Sequence, residues 1–234
     1  GDGVIRSHGG AGEWVDGGGG AGGRIALYLA TDSFSGTVTA YGGPARRGGA
    51  GTVYRRLNGE TVGRLLVDNG GEWGNYTPLY APEAFRLELS GRAYTYATGA
   101  LTLARLEMLG ESVLVQDYAQ TNVQLHVLGD ALISTNAQLT ADGRGYPRGE
   151  SRGPGAGTSV GPFGSGGSHG GLGGTSVNGA AAGPAFDSIT QPTLMGSQGG
   201  DSDGGAGTAG GGAIRLVVDG RLTVDGRLSA EGAG

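Results

Sequence analysis

The sequence predicts an all-β chain: short strands stacked as a β-solenoid or parallel β-helix, with glycine-rich segments packed among them in a polyglycine-II-like way. Three observations carry this expectation. Apolar and polar residues alternate over short runs, the mark of a half-buried strand and not of a helix. A strand–break–strand unit of about 20 residues recurs along the chain, too short to fold alone and therefore obliged to stack on its neighbours. Glycine supplies 55 of 234 residues, and each one ordered inside an element costs about 0.5–1 kcal/mol relative to alanine. So many glycines are expected where a side chain would not fit.

In chain order, Gly3–Gly10 (GVIRSHGG) reads as the second half of a unit. A full unit follows from Arg24, where Ile25, Leu27 and Leu29 face one way and Arg24, Ala26 and Tyr28 the other. A second unit begins at Thr52. Pro78 and Pro82 then mark a loop, since proline cannot donate to a ladder. FRLELSG from Phe85, AYTYATG from Ala93, LTLARLEML from Leu101 and SVLVQD from Ser112 are read as strands, the third by the alternation of Leu101 and Leu103 with Thr102 and Ala104. Another unit opens at Val123, and the last runs from Ala213 through Leu222, Val224 and Leu228.

Between the last two lies a change of composition. From Gly143 to Gly212 about every third residue is glycine, and Pro147, Pro154, Pro162, Pro184 and Pro192 break any long strand. This stretch is either a flexible excursion or an ordered layer of extended chains with glycine at the crowded positions. Ordered packing is the favoured expectation, because three glycine tracts precede three alternating strands. The expected division is coils over 1–142, the glycine-rich excursion over 143–212 and a closing coil over 213–234.

Net charge is −5 and all sixteen cations are arginine. An acidic chain with dispersed arginines does not suit nucleic acid, and lysine isopeptide staples are excluded. No cysteine is present, so neither disulfides nor thiolate metal sites are available. No apolar run approaches the ~20 residues that span a bilayer. With no signal peptide and a start at Gly1-Asp2-Gly3, the chain reads as a processed or excised piece.

GGGGAGGRIALYLATDSFSGTVTAYGG (17–43), GGAGTVYRRLNG and GRLLVDNGG (48–71) and TAGGGAIRLVVDGRLTVDGRLSAEG (208–232) resemble the glycine-rich repeat regions of very large bacterial surface proteins. The resemblance covers nearly the whole chain. It implies secretion to the cell surface, a β-solenoid-like architecture and a structural or adhesive role, and it brings no catalytic residues.

Candidates for chemistry are few. His8, His126 and His169 lack metal-ligand spacing. Asp201 and Asp203 resemble half of a calcium loop without the acidic positions downstream; turn formation is the simpler reading, and calcium is kept as the only candidate cofactor. Trp14 and Trp73, each in a Gly-Glu-Trp string, suit either a sugar platform or a cover for glycine backbone. Asp68, Glu83, Glu88 and Glu107 are expected to share no face, which speaks against a polysaccharide lyase. The leading expectation is a non-enzymatic extracellular structural subunit that partners itself. Gly3, Val4 and Ile5 of one copy would meet Leu222, Val224 and Leu228 of another, head to tail through strand edges. The alternative is an adhesin that binds glycans through its loops.

Overall fold

A computed structural model describes residues 1–14, 16–146 and 152–233. The described residues form eighteen short strands and no helix. In chain order these begin with β1 Val4–Arg6, β2 Arg24–Leu29, β3 Thr37–Thr39, β4 Thr52–Leu57, β5 Arg64–Asp68 and β6 Thr77–Leu79. Next come β7 Phe85–Ser90, β8 Tyr94–Ala97, β9 Leu101–Met108, β10 Val113–Val115, β11 Val123–Val127 and β12 Ala131–Ile133. The last six are β13 Gln138–Thr140, β14 Ser159–Val160, β15 Phe163–Gly164, β16 Ile214–Val218, β17 Leu222–Val224 and β18 Arg227–Ser229. No sheet closes into a barrel.

The chain gathers into two compact units. The first is Gly1–Val115, Leu125–Leu139 and Val217–Leu228; the second is Gln116–Gln124, Thr140–Leu216 and Ser229–Gly234. The expected closing coil at 213–234 is thus divided between them.

In the first unit, strands alternate between two sheets along the chain. One sheet follows the path β17–β12–β9–β7–β5–β4–β2, and a second has the order β18–β13–β10–β8–β6. Their buried faces carry Phe85, Leu87, Leu103, Leu106 and Ile133 on the first and Leu79, Leu114 and Leu139 on the second. Each such residue stabilises by about 1.5–3 kcal/mol through burial. A register shift between Phe85 and Arg86 lets Leu103 and Leu106 of β9 both point inward.

Pairing along the first path is parallel except between β4 and β5. Only residues 58–63 join those two strands, with Gly59 at φ +85° in the turn. A link that short can close a hairpin but not a parallel crossover. The reversal also moves the apolar face. Leu65 is paired with buried Leu87 on one side and with Tyr54 on the other, while Val53, Leu66 and Ile25 share the opposite face. Over β2 and β4 that opposite face meets β3, where Val38 and Gly36 share a cavity of ≈160 Å³ with Val53 and Leu66. An all-parallel stack was expected; the hairpin instead gives the sheet two apolar layers, on opposite sides.

Glycine segments in both units are ordered by backbone hydrogen bonds that recur every third residue. In the first, Gly19 and Gly22 donate to the carbonyls of Arg46 and Gly49 (2.7 and 3.0 Å), while Gly20 and Gly23 donate to those of Gly10 and Ser7 (2.9 and 2.7 Å). In the second, Gly196 and Gly199 donate to Gly211 and Thr208, Ser197 and Gly200 to Ser168 and Ser165, and Gln198 to Arg152. Serving two neighbours at adjacent phases in the first and three in the second, these segments repeat every third residue, the period of a threefold extended helix and not of a strand. These segments pack too closely for side chains. A Cβ on Gly43 would lie 1.9 Å from the Gly10 oxygen, and one on Gly200 1.9 Å from that of Thr158.

Candidate functional site

Three surfaces of the first unit carry chemistry or apolar exposure. The first is the face of β4, β5, β7 and β9 turned away from the buried Leu87 side. Register aligns Arg55 with Arg64, Arg64 with Arg86 and Arg86 with Arg105. The same register sets Glu88 directly beside Glu107. The two carboxylates therefore do share a face, contrary to expectation. A signal for this was present in the sequence: Arg-Leu-Glu occurs at 86–88 and again at 105–107.

Each cation on this face has its own carboxylate. Arg64 pairs with Glu88, Arg105 with Glu107 at 2.7 Å, Arg86 with Glu60 at 3.2 Å and Arg55 with Asp32 at 2.8 Å. The Leu57 N–H, and then Arg86, hold Glu60 below the usual carboxylate range. A cavity of ≈470 Å³ opens here, lined by Arg64, Arg86, Arg105, Glu88 and Glu107. Glycosidic chemistry needs two carboxyl groups in unlike environments, one poised as acid. Here Glu88 accepts from Arg64 and Glu107 is ion-paired with Arg105, so each carboxylate is held beside a guanidinium. Across the strands arginine stands opposite arginine and Glu88 opposite Glu107, and the repulsion along each row is offset by the carboxylate paired to each cation, a charge zipper.

The second surface is aromatic. Tyr76 lies 4.3 Å from Tyr94 and 5.9 Å from Tyr96 between ring centroids, and Trp73 meets Tyr94 edge-on at 6.4 Å. The Arg92 guanidinium stacks 5.7 Å from the Trp73 ring and pairs with Glu111. Trp73 is 47% exposed, so it is held by its neighbours and presented to solvent at once. Trp14 joins no such cluster: it is 86% exposed at φ +54°, in a turn closed by the Gly17 N–H on the Glu13 carbonyl.

The third surface is the end of the sheet path at β17 and β18. Leu222 and Val224 pair in register with buried Ala131 and Ile133 and so point to the buried side. β18 lies beside β13 through the Arg227 N–H on the Ala137 carbonyl at 2.9 Å. Yet Leu222 is 45% exposed, and Val224 and Leu228 are each 42% exposed. Residues of a core layer stand open because, among the described residues, no further strand covers them. At the opposite end, Gly3 and Val4 are exposed and Ile5 is half-buried on β1, which pairs only with β3. Ile25, Leu27 and Leu29 on β2 are likewise half-buried.

The histidines lie apart. His8 stacks on Tyr41 at 4.9 Å and reaches the Thr39 hydroxyl at 2.7 Å. His126 lies 3.0 Å from Asp219 on an exposed face. In the second unit, His169 lies 3.4 Å from Asp187. Asp187 is the organiser there. Its side chain, 6% exposed and at φ +71°, accepts from the N–H groups of Ser188, Thr193 and Leu194 at 2.8–2.9 Å. Burial pushes its carboxyl up, but those N–H bonds and His169 outweigh burial and hold it at about 2.

Asp201 pairs with Arg152 and accepts from the Gly207 N–H at 3.1 Å, whereas Asp203 sits in the turn closed by Ser202 and Gly205. Among the described residues, no three His, Asp or Glu side chains gather where a metal ion could sit. No helix of the described residues is long and apolar enough to cross a membrane. Comparison with protein-family models, curated proteins and solved structures found no match for the chain.

Proposed function

We propose that the chain is a non-enzymatic structural subunit of an extracellular filament, stalk or surface layer. In this reading the alternating strands are coils of a β-solenoid, the threefold glycine segments are polyglycine-II-like layers beside them, and copies join head to tail by stacking coil on coil. One observation carries it. Leu222, Val224 and Leu228 occupy core-facing positions yet are 42–45% exposed. Solenoids need polar caps to remain single molecules in water, and an apolar open coil favours a further coil. The paired charges of the β5–β9 face support a scaffold over a catalyst, since every cation there is matched to a carboxylate.

Sedimentation velocity and negative-stain imaging of the full chain across a concentration series test the proposal. Growing, elongated species are expected. A single monomeric species at every concentration refutes it.

A second reading rests on the aromatic row. Trp73, Tyr76, Tyr94 and Tyr96, with the Arg92–Glu111 pair, suit the stacking and hydrogen bonding of a glycan. A glycan array probed with the full chain, and repeated with Trp73→Ala, decides it: binding lost in the variant supports an adhesin, and no binding by the parent chain ends that reading.

A further inference from the structure

Which ends meet, and in what sense, follows from the reversal at β4 and β5. This inference rests on the assembly reading above and adds the partner surface and its symmetry. From β5 to β17 the strands run one way, with the apolar side marked by Leu87, Ile133 and Val224. β4 and β2 run the other way, with the apolar side marked by Val53 and Ile25 on the opposite face. Two signs, strand direction and apolar face, are therefore both inverted between the two ends of one sheet.

Translation of a copy along the stack brings the ends together antiparallel, with mismatched faces. A half-turn about the stacking direction inverts both signs together. The strands then become parallel, and Leu222 and Val224 fall on the same side as Ile25, Leu27 and Leu29. We infer that a second copy docks on the β17–β18 end through its own β1–β2 end, in parallel pairing, each copy rotated by about half a turn from the last.

The outermost strands set the register. Laying Leu228 of β18 over Ile5 of β1 in parallel brings together the apolar residues that the two terminal coils leave exposed and half-buried.

The experiment is a cysteine set in the otherwise cysteine-free full chain, read by oxidative cross-linking and sedimentation equilibrium, with circular dichroism to confirm that each variant keeps its fold. With Leu228 over Ile5, Asp225 falls opposite Asp2 in the parallel pairing and opposite His8 in the antiparallel one. Asp2→Cys with Asp225→Cys should therefore give roughly tenfold or more cross-linked oligomer than His8→Cys with Asp225→Cys. Leu222→Asp, at an exposed position, should weaken association about tenfold or more. Equal cross-linking of the two pairs, or more through His8→Cys, overturns the parallel half-turn and leaves the assembly reading standing. A parent chain that stays monomeric throughout overturns both.

Discussion

Gly43 and Gly10 lie against each other in the first glycine layer and make opposite predictions on substitution by alanine. A Cβ on Gly43 would stand 1.9 Å from the Gly10 oxygen, whereas one on Gly10 meets nothing within 4 Å. Neither glycine has the positive φ that would penalise alanine by itself, so packing alone separates them. To accept Gly43→Ala, the Gly10 carbonyl must recede by about 1.5 Å to reach an ordinary contact of 3.4 Å. That movement breaks the Gly20 N–H bond to Gly10 (2.9 Å) and strains the Gly43 N–H bond to Gly20 (2.8 Å). Two hydrogen bonds at about 1 kcal/mol each, with overpacking strain of about 1–3 kcal/mol, less a gain of about 0.4–1 kcal/mol from a stiffer unfolded chain, leave a loss near 3 kcal/mol. Gly10→Ala keeps only the last term and should stabilise by about 0.4–1 kcal/mol. Guanidinium denaturation followed by circular dichroism measures both, as a midpoint shift at constant slope. Equal stability of the two variants would mean that the glycine segments are not packed backbone to backbone, and the reasoning fails.

The other predictions follow from single residues. Asp187, held at about 2 against an ordinary 3.8, has a depressed folded pKa, so its contribution is fully present above pH ~4 and is lost as pH falls towards 2. Asp187→Ala should therefore cost about 2 kcal/mol at pH 7 and much less near pH 2; a penalty independent of pH contradicts this account. Leu103→Ala, at a fully buried site, should cost about 3 kcal/mol, while Leu222→Ala should leave monomer stability within about 0.5 kcal/mol; similar losses for the two would show that the open end is covered in the monomer. Glu88→Gln and Glu107→Gln should each cost no more than about 1 kcal/mol, and neither these variants nor the parent chain should turn over a panel of anionic polysaccharides. Turnover abolished by either change identifies the zipper as an active site.

The candidate surfaces were partly legible in the sequence. Leu222, Val224 and Leu228 at one end and Val4 and Ile5 at the other stand out because they alternate in strands bounded by glycine and aspartate; the structure leaves all of them exposed except Ile5, which is half-buried. Glu88 and Glu107 were misread as scattered because separation along the chain says nothing of register, and a bulge stands between their strands. Trp14 and Trp73 look alike in sequence, yet among the described residues Trp73 alone of the two has aromatic and cationic neighbours. Those neighbours arrive on β8 and its flanking turn, distant from Trp73 in the chain.

What the sequence by itself determined is local. Alternation sets which side chains of a strand share a face, aspartate–glycine and asparagine–glycine pairs set the turns, and the glycine tracts mark where backbones touch, because each of these depends on neighbours along the chain. The tertiary structure alone decided the reversal between β4 and β5, the side on which each apolar layer lies and the segment that receives each glycine's hydrogen bond. Those depend on which distant segments pair and in what sense. Loop length and backbone hydrogen bonding settle that choice, and residue spacing does not record it.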